Sequence, residues 1–327
     1  MTKGLIVYIN TNETPLEFKK ILKPLIIQNH IYIKKGWQNG KHLVLYGIKT
    51  NELDSIKDTI DIVLKKYPSK IYDKSNYIQI YSKINNKFFQ DKFEISEVYQ
   101  NIVKVEEEFK VSTFENHNQK EFYLDLCKKI DKFFIDFYFE KNNIEELIKL
   151  ILHFSIQFNS YWKENYEHND QLFNPYNSHL SHFTGFINSL NEKEVSSVFN
   201  EFERRYKPYL PIENNLFSSF IETFHVLKNM NEYNQINFFS PQKLSDILIN
   251  IEAEKISKGH SSLYNDEDLL KKIYSNIPST FNRWFLNSFY EKLLLMNINI
   301  KEKYFFNYCI ARHHFEDELR SRLNGIR

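Results

Sequence analysis

Apolar positions change their period about a third of the way along the chain. Over the first hundred residues, short β-branched and aromatic runs alternate with stretches of three- and four-residue spacing. From about residue 119 only the helical spacing remains. Residues 4–9 (GLIVYI) read as a buried strand. Thr14 and Glu17 have capping-box spacing around Pro15, predicting a helix to about Gln28 that Pro24 should kink or split. Runs at 31–37 and 41–48 flank Gln38-Asn39-Gly40, and Asn-Gly between two such runs predicts a β-hairpin. A helix over 52–66 and a further strand at 77–81 complete this part. The order implies an antiparallel or mixed sheet with helices on one face.

Helices are then predicted over 122–139, 144–166, 178–190, 193–206, 216–230, 241–256, 266–275, 281–296 and 300–319. Breaks fall at His168-Asn169-Asp170, between Pro208 and Pro211, over 257–262 and at Pro278. The expected fold class is α+β: an N-terminal mixed or antiparallel sheet layer with a β-hairpin, followed by a larger helical layer. The expected division is 1–115 for the sheet layer and 116–327 for the helical layer, working as one integrated catalytic unit. No internal repeat is visible, which disfavours a solenoid.

Composition narrows the function classes. With 43 Lys and Arg against 42 Asp and Glu in 327 residues, bulk charge gives no reason to expect nucleic acid as a partner. No apolar run approaches the 18–20 residues of a membrane span, and no basic segment followed by an apolar stretch opens the chain. A cytoplasmic protein without a membrane partner is the expectation. G-x-G-x-x-G, the P-loop and G-x-S-x-G are all absent from the sequence. Cys127 and Cys309 are too few and too far apart for a disulfide framework or a zinc ribbon. The first arginine is Arg204, so no paired arginine clamp can be built from the first 203 residues.

Three stretches could carry chemistry. His42, just after the Asn-Gly turn, is either a positioned acid, base or hydrogen-bond donor at a sheet rim or a hairpin histidine packed on Trp37. In Asn174-Pro175-Tyr176-Asn177-Ser178-His179-Leu180-Ser181-His182, Ser178 reads as a helix cap and the two histidines share a face at i, i+3. That spacing can hold a metal, but no carboxylate completes it and H-E-x-x-H is absent, so no metal is expected. A catalytic or peptide-binding face and ordinary helix-start hydrogen bonds both remain open. Arg283, Asn287 and Tyr290 form a polar stripe at i, i+4 and i+7, lining either a pocket or the solvent side of an amphipathic helix. The Arg312-His313-His314 segment reads as a solvent-facing, ion-paired helix end.

Several of these stretches, in order, resemble one family. Residues 4–9, Leu22-Lys23-Pro24-Leu25, Tyr32-Ile33-Lys34-Lys35-Gly36-Trp37 and Gly40-Lys41-His42-Leu43-Val44-Leu45 are similar to the opening of thiopeptide-type bacteriocin biosynthesis proteins. These are in turn similar to the C-terminal, glutamate-eliminating domain of lantibiotic dehydratases. Asn177 to Phe186 resembles the Arg-Ser-His-(Ala/Leu)-Glu-x-Phe segment of stand-alone members. The stretch from Asn287 through Lys292, Glu302-Lys303-Tyr304 and Tyr308-Cys309-Ile310-Ala311 resemble their final helix pair.

The resemblance implies action on a ribosomally made, post-translationally modified peptide. One branch removes glutamate from glutamyl-Ser or glutamyl-Thr; the pyridine synthases join two dehydroalanines by a formal aza-[4+2] cycloaddition and expel water and the leader. Both need an acid/base pair and a stabilised enolate-like or amide tautomer, without a cofactor. The implied partners are a precursor peptide, leader and core, and a dehydratase. A leader strand could add along the hairpin edge. The implied catalytic residues are His182, Tyr290 and His42; Trp37, Ser181, Arg283 and Asn287 are the implied substrate contacts. Glutamate-eliminating members carry arginines in the strand after the turn, where this chain has Val44 and Tyr46, and a histidine where it has Asn287 or, in the register that follows Asn282-Arg283, Thr280. The departures favour cycloaddition over glutamate elimination and leave a non-catalytic peptide-binding scaffold as the competing reading.

Overall fold

The computed structural model describes residues 2–9, 14–29, 31–67, 74–88, 97–106, 116–140, 143–165, 174–233, 235–236, 268, 272 and 276–324. The helix expected over 241–256 and the break at 168–170 lie outside the described residues, as does the helix expected over 266–275 except at Asp268 and Lys272, both helical. The fold is α+β, with an N-terminal antiparallel sheet followed by helices. The chain divides into two compact units, one of residues 1–115, 123–141 and 288–297, the other of 116–122, 142–287 and 298–327.

In the first unit, strands β1 (Thr2–Tyr8), β2 (Tyr32–Gly36), β3 (His42–Lys49) and β4 (Val103–Glu106) form a four-stranded sheet in the order β2-β3-β1-β4. Every neighbouring pair is antiparallel. The β2–β3 turn holds Asn39 and Gly40 at φ 57° and 124°, the left-handed conformations for which Asn-Gly is suited. Residues 43–48 of β3 are buried without a break, so both faces of this central strand are covered, not one. Its near-continuous run Leu43-Val44-Leu45-Tyr46 fits that environment.

Helix α1 (Leu16–Asn29) begins one residue after the expected position and continues through Pro24 as a single element. Glu17 takes the hydroxyl of Tyr67. Phe18, Leu22 and Ile26 of α1 are fully buried, as are Ile60 and Leu64 of α2 (Leu53–Leu64). Each such side chain contributes roughly 1.5–3 kcal/mol by leaving water. Residues 77–81 are not a strand but part of helix α3 (Lys74–Phe88). Tyr77 and Tyr81 stack one helical turn apart, with centroids 6.3 Å apart, so their spacing of four prevails over their strand propensity.

Helix α4 (His117–Phe134) ends in a 3-10 turn over Ile135–Phe137, where an unbroken helix to 139 was expected. Phe139 there has φ 63°, and its N–H donates to the Leu295 carbonyl at 2.8 Å. Among the described residues six helices follow: α5 (Ile144–Asn165), α6 (Tyr176–Asn188), α7 (Glu192–Arg205), α8 (Leu216–Glu232), α9 (Ile277–Leu293) and α10 (Ile300–Asn324). Ser178 is not the cap of α6, which starts two residues earlier after Pro175. The Asn191–Glu194 capping box of α7 is present with both bonds at 3.0 Å.

The core of the second unit is aromatic. Phe154 of α5 stacks on Phe285 of α9, Phe158 of α5 meets Phe281 of α9, and Phe224 of α8 closes on Phe158 edge-on. Helices α6 and α10 pack antiparallel through Phe183–Tyr308 and the parallel stack of Phe186 on Tyr304 at 3.9 Å. Arg205 of α7 grips Glu302 of α10 with both guanidinium nitrogens, at 2.9 and 2.7 Å.

Candidate functional site

His42 opens β3. Its Nδ1–H donates to the Gly40 carbonyl at 2.7 Å, which fixes the tautomer, and its ring tilts against Tyr8 at 5.1 Å. A methyl group on Gly36, across the hairpin, would stand 2.2 Å from Nε2; the imidazole therefore lies over the one residue that leaves room for it. Burial lowers the His42 pKa to about 4. The ring is thus neutral near pH 7 and can accept a proton but not donate one as an imidazolium. The expected packing on Trp37 is replaced by Tyr8 and Gly36. Trp37 is half-buried at the end of β2, its carbonyl taken by the Tyr77 hydroxyl.

The last turns of α9 also belong to the first unit. Tyr290 is buried there. Around it, three side chains reach unit partners: Ser288 Oγ donates to Cys127 Sγ at 3.1 Å, Glu291 accepts the Tyr32 hydroxyl at 2.6 Å, and Lys292 meets Asp131 of α4 at 2.9 Å. Asp131 and Lys292 are fully buried. Asp131 also accepts the Tyr138 hydroxyl and, at 2.9 Å, the N–H of Ile33, while Lys292 Nζ donates to the Ile33 carbonyl and sits 3.9 Å above the Tyr32 ring. Desolvation raises the Asp131 pKa to about 6, held down from a larger rise first by Lys292.

This buried polar network was not anticipated. Its charges lie on two helices far apart in the chain, each with ordinary amphipathic spacing, so no local pattern pairs them. It also bears on the hairpin edge. Both backbone groups of Ile33 are occupied by side chains, so a peptide strand adding to β2 there must displace Asp131 and Lys292.

In the second unit, α6 carries the two expected histidines into different surroundings. His179 is fully buried; its Nδ1–H donates to Asn307 Oδ1 at 2.8 Å and its ring meets Phe306 edge-on. Burial lowers its pKa to about 4. His182 and Ser181 are half-buried on the same helix. The shared imidazole face expected from the i, i+3 spacing is therefore split. Among the described residues no group of three or more His, Cys, Asp or Glu side chains is placed to hold a metal ion.

The polar stripe of α9 is divided as well. Arg283 is half-buried with Nη2 3.3 Å from Thr280 Oγ1, Asn287 is exposed, and Tyr290 is buried. Arg312 is not the solvent-facing end expected: it is buried, pairs with Glu203 and the Tyr308 hydroxyl, and covers the Tyr206 ring at 4.1 Å. At β3, Val44 and Tyr46 are buried, Tyr46 lying parallel to Tyr32 at 6.4 Å.

No family model and no curated protein sequence matches the chain. Among solved structures, it aligns over 97% of its length with 99% of the pyridine synthase TbtD from thiomuracin biosynthesis, at TM-score 0.56 and 11% identity. It also aligns over 97% of its length with 95% of TsrL, at TM-score 0.49 and 10% identity. The chain thus shares the fold of that pyridine synthase over nearly the full length of both chains. Among the described residues no helix is long and apolar enough to cross a membrane.

Proposed function

We propose that this protein is a maturation enzyme for a ribosomally synthesised peptide, closing a pyridine-type ring between two dehydroalanines by aza-[4+2] cycloaddition, with loss of water and leader. The observation that carries the reading is the full-length fold correspondence with TbtD. The buried Val44 and Tyr46 add to it: where a glutamate-eliminating relative would present arginines to a leaving carboxylate, this sheet holds an aliphatic and an aromatic side chain in its core. The substrate is a dehydrated precursor peptide, leader and core, supplied by a dehydratase.

Proton transfer falls to His182, Tyr290 and His42. His42, neutral with its Nδ1–H committed to Gly40, serves as acceptor, and the Tyr290 phenol as donor. Arg283 and Asn287 hold backbone carbonyls as their oxygens gain charge, and Trp37 and Ser181 contact the peptide.

The test is mass spectrometry of a dehydroalanine-bearing precursor incubated with and without the protein. Loss of leader plus water is the expected result. An unchanged mass with retained leader binding overturns the cycloaddition in favour of a scaffold. Accumulation of glutamylated peptide when the protein is omitted assigns glutamate elimination instead.

A further inference from the structure

Three polar residues of the last turns of α9 have side-chain partners in the first unit, and they differ in one respect. Ser288 and Lys292 are fully buried, whereas Glu291 is partly open to solvent. Its Oε2 accepts the hydroxyl of Tyr32, a residue almost wholly buried, at 2.6 Å. Among the described residues no cation is paired with Glu291. The adjacent ammonium, Lys292, is committed to Asp131 and to the Ile33 carbonyl. Glu291 is therefore a carboxylate at the open end of a buried polar network, with one oxygen fixed by a phenol and no ion pair among the described residues. Tyr32 is itself fixed, with Lys292 over its face and Tyr46 stacked alongside. Burial and the neighbouring Glu291 charge push the Tyr32 phenol well above its usual range, so it remains a hydrogen-bond donor across the working pH range.

We infer that Glu291, oriented by Tyr32, is a general base for the peptide substrate, taking the N–H proton of a backbone amide and returning it to the amide oxygen. The assignment rests on the cycloaddition reading above. The step converts the amide into its iminol tautomer. The N–H bond breaks, an O–H bond forms, the C–N bond gains double-bond character as the carbonyl loses it, and the carboxylate is regenerated. The product supplies the C=N–C=C unit that a second dehydroalanine can add across. A base is needed on this route because an unactivated amide holds its proton on nitrogen, and general base catalysis contributes typically 10²–10⁴-fold. Asp131 and Lys292 are positioning residues here, fixing the helix turn that carries Glu291.

The test uses the full-length protein, the dehydroalanine-bearing precursor, and three variants, Glu291→Gln, Glu291→Ala and Tyr32→Phe, each checked by circular dichroism and for precursor binding by anisotropy. Glu291→Gln and Glu291→Ala are expected to lower kcat at least about 100-fold with binding unchanged. Formate added to Glu291→Ala is expected to restore turnover, and Tyr32→Phe to give an intermediate loss. Wild-type turnover in Glu291→Gln overturns the assignment. So does a loss in Glu291→Ala that formate does not restore, since that is the behaviour of a structural carboxylate. If the wild-type protein leaves the precursor unchanged, the cycloaddition reading itself fails and the base falls with it.

Discussion

Asp131 and Lys292, 161 positions apart and both fully buried, meet at 2.9 Å and between them take the N–H and C=O of Ile33. The pair occupies the outer edge of β2 as a neighbouring strand would, with a carboxylate for the carbonyl and an ammonium for the amide. Removing one partner strands a charge in the interior. Asp131→Ala or Lys292→Met is expected to cost about 3–5 kcal/mol in a denaturant titration.

Replacing both members together often restores a protein that has lost a buried ion pair. Here the double variant Asp131→Leu/Lys292→Met should stay at least about 2 kcal/mol below wild type, because the Ile33 backbone groups and the Tyr138 hydroxyl lose their partners. Full recovery in the same titration would show that the edge-strand role is unimportant.

His179 and His42 make stability depend on acid. Both have native pKa values near 4 against 6.5 for a free imidazole, so the unfolded chain takes up protons first as pH falls. Their contribution is complete above pH 6.5 and disappears by about pH 4, on the order of 3 kcal/mol for the fully buried His179. Asp131 runs in the opposite sense: with its pKa raised to about 6 by burial, it favours the native state most fully below the ordinary carboxylate range, and that advantage is lost as pH rises to about 6. Melting temperatures between pH 4 and 7, with His179→Gln for comparison, should show the histidine component removed by the variant.

Gly36→Ala tests the seat of His42. The new methyl meets Nε2 at 2.2 Å and must displace the ring from the Gly40 carbonyl. The expected cost is about 1–3 kcal/mol. The His42 imidazole should also titrate nearer its ordinary value once freed, read by NMR of the ring protons.

His182→Ala and Tyr290→Phe are each expected to lower conversion of the dehydrated precursor by about 10²- to 10⁴-fold while leader binding persists. Conversion at wild-type rate in both removes them from the chemistry.

Much of this architecture can be read from local pattern. Asn39-Gly40 announces the hairpin because few other dipeptides accept two left-handed residues, and α5 is visible because Leu147, Ile151, Phe154 and Phe158 follow its buried face. The residues expected at 77–81 as a strand show the limit: aromatic content suggested β, but Tyr77 and Tyr81 are four apart and use a helical face. β4, Val103-Lys104-Val105-Glu106, does alternate apolar and charged positions, but at four residues it is too short for the pattern to stand out from the surrounding sequence. His42 could be singled out from its place beside the turn, whereas its neutral state depends on Tyr8 and Gly36, residues that only the sheet brings to it. The polar network is harder still. Glu291 and Lys292 look like the surface charges of any amphipathic helix until α9 meets Tyr32 and Asp131, and no spacing rule reaches across 161 residues.

The first unit draws residues 288–297 from near the end of the chain, which sets an order on its synthesis. While the ribosome is still making the helices between, β2, Asp131 and Tyr138 exist without Lys292. At a translation rate of about 5–20 residues per second, the roughly 160 residues separating the two charges take on the order of 10–30 seconds to emerge. For that interval the edge of β2 has no partner from α9, and a nascent chain in this state exposes an unsatisfied strand to its neighbours. Chaperone dependence during expression, and aggregation of chains truncated before Ser288, follow from a sheet whose last fastening arrives 161 residues after the charge it meets.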